Sequence, residues 1–92
     1  MIDKERVKID NRPVKLRIES EPYARFIGRK YCVVIDVYDA KWKREYYLII
    51  EPQSLSQPLF DLVESEGELS GLVVWVNKES DEKYSKYQVE LA

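Results

Sequence analysis

Histidine is absent from the 92-residue chain, and Cys32 is its single cysteine. Without imidazole the chain has no histidine acid or base, no Ser–His or Cys–His nucleophile pair, and no zinc site that uses imidazole. One cysteine cannot form an internal disulfide, so we expect a reducing, cytoplasmic setting. A glycine-rich phosphate loop, a GxSxG elbow and a CxxC pair are also missing. We therefore expect a protein that is not an enzyme, with no catalytic residue, metal site or small-molecule cofactor.

Long apolar runs are missing as well. None approaches the roughly 18 residues that a membrane span needs, and the N-terminal MIDKERVKID lacks the apolar region of a secretory signal. Hydrophobic residues make up 45% of the chain and charged residues 35%, which is typical of a folded protein rather than a disordered one. We expect a single domain over residues 1–92, without a membrane partner.

Cations and acids are unevenly distributed along the sequence. The formal net charge is −2, yet residues 1–30 carry a net +4, residues 31–50 are balanced, and residues 51–92 carry a net −6. A net-acidic protein with this asymmetry can present one cationic face. The simpler interpretation is ordinary solvated surface, on which both signs mix once the chain folds.

Apolar, β-branched and aromatic residues form strand-length runs. The runs at 31–38 and 46–50 flank a connector too short for a crossover helix, so we expect an antiparallel hairpin with Trp42 at its tip. Residues 14–19 alternate strictly, and residues 69–77 and 84–91 read as two further strands. Residues 21–29 are predicted to be a loop, and residues 1–12 a short edge strand or an ordered arm.

Residues 54–66 change to a helical period, because Leu55, Leu59, Leu62 and Val63 fall on one stripe. Ser54 with a glutamine three residues later fits a capping box, and Ser56 is a rival cap. Gly67 fits the position just beyond the end of the helix.

The predicted order is therefore three strands, a helix and two strands. This order, with the helix SLSQPLFDLVESEGEL, the glycine-led strand SGLVVWV and the final strand YSKYQVE, is similar to OB-fold proteins, and resembles small phage-type or archaeal single-stranded-DNA-binding proteins. The resemblance covers about residues 13–91. It implies a mainly β fold, a small five-stranded OB-like barrel with one helix between strands 3 and 4. Element order alone also fits an α+β sheet with one helix on one face.

The resemblance further implies a binding surface on the second and third predicted strands and on the loops 21–29 and 77–83. Single strands are bound by rings that stack on bases and by cations that contact phosphates. The candidate rings are Tyr23, Tyr38, Trp42 and Tyr46. The candidate cations are Arg25, Arg29, Lys30, Lys41, Lys43 and Arg44, with Lys15 and Arg17 nearby. The acids of loop 77–83 would repel phosphate and argue against that part of the surface.

A second class of function fits the same residues. The chain would then be a protein-interaction or structural module that does not bind nucleic acid, for example a homo-oligomer built through strand edges or through the Trp42 hairpin. Trp75 lies between valines and is expected in the core or in an oligomer contact. Asp36 with Asp39 resembles a carboxylate pair, but Asp36 in a strand fits equally well as the partner of a nearby lysine or arginine.

Overall fold

The computed structural model describes residues 4–92 of the chain. Over this range the chain forms seven strands and one helix. In chain order they are β1 (Glu5–Arg6), β2 (Val14–Ile18), β3 (Tyr23–Ile27), β4 (Lys30–Asp39), β5 (Arg44–Ile49), α1 (Gln53–Glu66), β6 (Val73–Lys78) and β7 (Tyr87–Leu91). Of the predicted arm at 1–12, residues 1–3 lie outside the described range, and the remainder contributes β1.

Strand β4 is the longest element of the sheet, with ten residues, and three strands pair with it. Its partner on one side is β5, from Val34 to Asp39. On the other side β3 pairs with its first half and β2 with its second half, all antiparallel. The sheet order is β1-β5-β4-β2-β6-β7, with β3 beside β4. Only β1 runs parallel to its neighbour.

The hydrophobic core lies on one side of this sheet and is closed by the helix. Alternate residues of β2, of the second half of β4 and of β6 point into it, as period-2 alternation requires, and Leu55 and Leu59 enter from α1. Ile50 follows β5, and Val7 follows β1. The core side chains that are fully buried include Leu16, Ile18, Ile35, Leu55, Leu69, Val37, Val74 and Val76.

The sheet is open and has seven strands, so the prediction of a small five-stranded OB-like barrel is wrong. Strands β1 and β7 are its two edges, and the helix follows the fifth strand rather than the third. Between the edges runs the N-terminal segment: Val7 N donates to Tyr47 O at 2.9 Å, and Lys78 N donates to Asp10 O at 2.8 Å. The first bond continues the β1–β5 pairing and the second is a single bond to the end of β6, so no ladder joins β1 to β7 within residues 4–92.

The prediction of a loop over residues 21–29 is wrong, because Tyr23–Ile27 form strand β3. Ile27 pairs with Lys30, so only Gly28 and Arg29 form the turn. The positive φ of Gly28, 68°, is what a two-residue hairpin turn with glycine at its first position requires. The sequence prediction missed this strand because both of its faces are mixed, with Arg25 on one side and Phe26 on the other.

The helix begins one residue earlier than predicted, and Ser54 does not cap it. Pro52 occupies the N-cap position without a side-chain hydrogen bond. Ser54 Oγ instead accepts a hydrogen bond from Tyr87 N at 3.0 Å, which ties the helix to β7. At the other end Gly67, with φ 92°, donates to Val63 O at 2.8 Å, as predicted for the residue that ends the helix.

Truncating the central leucine of β2 tests this core. Leu16 is 0% exposed, so Leu16→Ala leaves a cavity and should lower the free energy of unfolding by about 2–5 kcal/mol. Leu91→Ala is the matched control, because Leu91 is 42% exposed, and should cost under about 1 kcal/mol. Urea denaturation measures both values. Equal losses in the two variants would mean that β2 does not lie at the centre of the core.

Candidate functional site

The side of the sheet opposite the core, called here the outer face, carries the polar and aromatic residues. On β4 it receives Cys32, Val34, Asp36 and Tyr38, because these alternate with the core residues. Val34 pairs with Tyr23 on one side and Ile49 on the other, and is fully buried between its neighbours. The outer face therefore has an apolar floor at its centre and functional groups around it.

Three cation–ring pairs lie on the outer face. The Arg25 guanidinium carbon lies 4.5 Å from the centre of the Tyr47 ring, and that of Arg17 lies 4.9 Å from the Tyr38 ring. Lys15 Nζ lies 5.8 Å from the Trp75 ring.

The strand register aligns these pairs. Arg17 is the cross-strand partner of Tyr38, and Lys15 is the partner of Trp75. Arg25 reaches from β3 towards β5 over β4. The pairs therefore follow one another across β5, β4, β2 and β6, over roughly 15 Å at the usual spacing between strands.

A hydrogen-bonded carboxylate lies between the first two pairs. Asp36 accepts hydrogen bonds from Lys4 Nζ at 2.9 Å and from the Tyr23 hydroxyl at 2.6 Å. The bond to Asp36 raises the pKa of Lys4, and burial followed by that carboxylate raises the pKa of Tyr23. Asp36 is thus the partner of a lysine, one of the two roles that the sequence leaves open, and Lys4 compensates its negative charge.

The other cations of the outer face differ in whether a carboxylate lies within ion-pair distance of them. Arg17 Nη2 lies 2.7 Å from Glu19, so its charge is largely compensated. For Lys15 and Arg25, no carboxylate of the described residues lies within ion-pair distance. These two side chains are therefore the ones available to an anionic ligand.

The β4–β5 turn continues the outer face beyond Tyr38. Trp42 is 65% exposed at its tip, with Lys41 Nζ 5.6 Å from its ring. Lys43 adopts a φ of 54°, a left-handed conformation that in the described part of the chain is otherwise confined to glycines. Such a conformation costs a side-chain-bearing residue roughly 1–2 kcal/mol. The buried Asp39 holds the turn by accepting a hydrogen bond from Lys41 N at 2.9 Å.

The predicted site residues divide into groups in the structure. Tyr23, Arg25 and Tyr38 share the outer face, and Lys41, Trp42 and Lys43 share the adjacent turn. Arg29 and Lys30 lie at the other end of β4, where Lys30 Nζ is 3.6 Å from Glu51. Arg44 lies 3.7 Å from Glu5 and over the Tyr46 ring.

Tyr46 packs against the core, and its neighbour Tyr47 occupies the outer face. The sequence predicts that one of these two rings lies on each side of the sheet. It does not predict which ring lies on which side, because that depends on the register of β5. Of the two places predicted for Trp75, the core is wrong, because Trp75 is 40% exposed beside Lys15, while an oligomer contact stays a prediction. The alternation Val74-Trp75-Val76 was the available signal, since both valines are buried.

Neither a metal site nor a membrane-spanning helix is found among residues 4–92. No group of three or more cysteine, aspartate or glutamate side chains within residues 4–92 is arranged to hold a metal ion. Nor does α1, the helix of this range, have the length and apolarity needed to cross a membrane.

In comparisons with known proteins, no family model, no curated protein and no solved structure matches this chain. Its function must therefore be argued from its own residues.

The Tyr23 hydroxyl provides a pH test of the Asp36 cluster. Because the folded state holds the protons of Tyr23 and Lys4 more tightly than the unfolded state, their contribution to stability is fully present below about pH 10 and is lost above it. Tyr23→Phe keeps the ring but removes the hydroxyl. The part of the stability loss at high pH that comes from ionisation of Tyr23 should therefore disappear.

Ultraviolet difference titration of wild type against Tyr23→Phe isolates the ionisation of this one hydroxyl. We expect the pKa of the Tyr23 hydroxyl to lie above the ordinary value of 10.0. Ionisation at or below that value would show that the hydroxyl is not held against Asp36.

Proposed function

We propose that this protein binds single-stranded nucleic acid across the outer face of its sheet. The observation that supports the proposal is the line of three cation–ring pairs, Arg25 on Tyr47, Arg17 on Tyr38 and Lys15 beside Trp75. Proteins that bind single strands without reading their sequence combine aromatic stacking platforms with cations that follow the backbone. The outer face supplies both groups at neighbouring positions.

Each pair can accept a base without rearrangement of the backbone. Bases stack on aromatic rings and equally on the planes of arginine guanidinium groups. A base can therefore lie on the Arg25 guanidinium above Tyr47, or replace it on the ring while the guanidinium turns to a phosphate. Trp75 offers its own exposed face, beside an open groove lined in addition by Pro13, Tyr87 and Gln88.

The charge distribution limits binding to one side of the molecule. Asp36 and Glu19 are compensated by their ion pairs, which leaves Lys15 and Arg25 to act on phosphates. The acids of α1 and of the β6–β7 loop repel an anionic strand. Glu90, the cross-strand partner of Trp75 on the outer face, also repels it, because no cation of the described range lies within ion-pair distance. We therefore expect the strand to cross β5, β4, β2 and β6 and to stay clear of α1 and of that loop.

The β4–β5 turn adds a fourth platform. Trp42 is exposed, and its neighbours Lys41 and Lys43 carry no carboxylate of the described range within ion-pair distance. Glycine or asparagine would adopt the backbone of residue 43 at lower cost, yet the position holds a lysine. A strained backbone retained at an exposed cation supports a role for that side chain in binding.

Single strands are favoured over duplexes because the platforms need bases that are free of their own stack. A duplex offers its phosphates to Lys15 and Arg25, but its bases cannot reach the rings. We expect little sequence preference, because stacking on rings and contacts to phosphates are tolerant of base identity.

Titration with single- and double-stranded oligonucleotides at several salt concentrations tests the proposal. If about three phosphates are contacted, log K should fall with log salt at a slope near −2, and a duplex should bind more weakly. Lys15→Gln with Arg25→Gln should reduce the slope by about 1.4, at about 0.7 for each lost contact. Trp75→Leu should cost roughly 1–3 kcal/mol of binding free energy through lost stacking.

The β6–β7 loop provides the matched controls. Lys83 and Tyr84 form a similar cation–ring pair, 5.5 Å apart, but in the acidic loop. Lys83→Gln with Lys86→Gln removes the same charge as the test variant, and Tyr84→Leu removes an exposed ring. These controls should bind like wild type. Binding that is lost equally in controls and test variants, or that is absent in wild type at low salt, would contradict the proposal.

Lys43→Gly separates stability from binding. Relief of the positive φ should leave the free energy of unfolding unchanged or raise it by up to about 1 kcal/mol. Removal of the cation should weaken oligonucleotide binding and make it less dependent on salt. Lys43→Asn, which also tolerates this backbone, should behave in the same way. A variant that is more stable and binds as well as wild type would exclude the turn from the binding surface.

A further inference from the structure

The end of the β3–β4 hairpin carries an uncovered apolar patch on the side opposite the outer face. Phe26 and Tyr31 are cross-strand partners whose ring centres lie 5.1 Å apart, and they are 61% and 71% exposed. Val33, which points to the same side, is 43% exposed. The three residues, called here the hairpin patch, continue the core face of β4 beyond the end of the core.

Cations lie at the turn end of the hairpin patch. Residues 22–35 contain no acid, and of their three cations Arg29 lies in the turn and Lys30 follows it at the start of β4, whereas Arg25 points to the outer face. Lys30 is partly compensated by Glu51, at 3.6 Å, whereas Arg29 at the turn has no carboxylate partner within residues 4–92. The hairpin patch is therefore apolar with a positive margin.

The exposed side of α1 has the opposite character. Phe60 is 61% exposed, and Asp61, Glu64 and Glu66 follow it along the helix. Residues 53–70 contain four acids and no lysine or arginine. The negative end of the helix dipole lies at the same place, without a basic residue in the last turn. Phe60 with these acids, called here the helix patch, is apolar with a negative margin.

We propose that the hairpin patch of one molecule docks on the helix patch of a second copy of this chain. Charge complementarity selects this arrangement. Two hairpin patches facing each other would bring Arg29 and Lys30 of both molecules together, and two helix patches would oppose their acids. The joined surfaces differ, so the contact is head-to-tail and each new molecule leaves one patch of each kind open.

This association is weak and depends on concentration. Four exposed apolar side chains form a contact smaller than that of a stable dimer. The contact uses neither the cation–ring pairs nor the β4–β5 turn, so it does not rest on nucleic-acid binding. It is tested with the protein alone.

Sedimentation velocity over a wide range of protein concentration, at low and high salt, measures the association. We expect a weight-average mass of 10.9 kDa at high dilution that rises with concentration and falls again on addition of salt. Phe26→Ser and Phe60→Ser, both at exposed positions, should each weaken association at least tenfold. A mass that stays at 10.9 kDa at the highest concentration would overturn the proposal.

Charge reversal identifies the surfaces. Arg29→Glu with Lys30→Glu, the hairpin variant, should stay monomeric, and so should Glu64→Lys with Glu66→Lys, the helix variant. An equimolar mixture of the two should associate again, because each reversed patch then meets its complement. Lysines in the last helical turn also favour the helix dipole, so the helix variant should remain folded.

Glu79→Lys with Glu82→Lys is the control for general attraction between oppositely charged proteins. It carries the same charge change in the β6–β7 loop and should associate like wild type through its own intact patches. With Phe26→Ser added, which disables its hairpin patch, it should not restore association when mixed with the hairpin variant. Association that survives in the helix variant alone would place the contact elsewhere and overturn the proposal. Restoration by the control that carries Phe26→Ser would do the same.

Discussion

The pairing of β4 with three other strands is the constraint on which the rest of the structure depends. Its ladders with β5, β3 and β2 fix which of its side chains face the core and which face outwards. A slip of one residue would exchange Ile35 and Val37 for Asp36 and Tyr38, and would bury a carboxylate away from Lys4. Hydrophobic burial on one side of β4 therefore determines the chemistry presented on the other.

The outer face follows from that register. Arg17 meets Tyr38, and Lys15 meets Trp75, because β2 lies between β4 and β6 with these residues as direct partners. The ion pairs of Asp36 and Glu19 remove negative charge where the rings lie. A protein with a net charge of −2 can thus present rings and cations together on this face, although Glu90, the cross-strand partner of Trp75, leaves one acid beside them.

Much of the fold could be predicted from the residues, since strict alternation marks β2 and a helical stripe marks α1. The strand order of the open sheet could not, because it depends on pairing between distant segments such as β2 with β6, which leaves no local pattern. β3 was missed because neither of its faces is uniformly apolar. Within the candidate site, the cations of the β4–β5 turn could be predicted, because they flank Trp42 in a short polar connector between two strands. That Tyr47 rather than Tyr46 lies on the outer face could not be predicted, because it depends on the register of β5 against β4.

The central claim is that a nucleic-acid strand follows the cation–ring pairs across the outer face. Nuclear magnetic resonance with ¹⁵N-labelled protein and a short single-stranded oligonucleotide tests it most directly, residue by residue. The account predicts shifts at Arg25, Tyr38 and Tyr47 and at the indole N–H groups of Trp75 and Trp42, with α1 and residues 79–83 unchanged. Shifts concentrated on α1, or an unchanged outer face in a complex that forms, would contradict it.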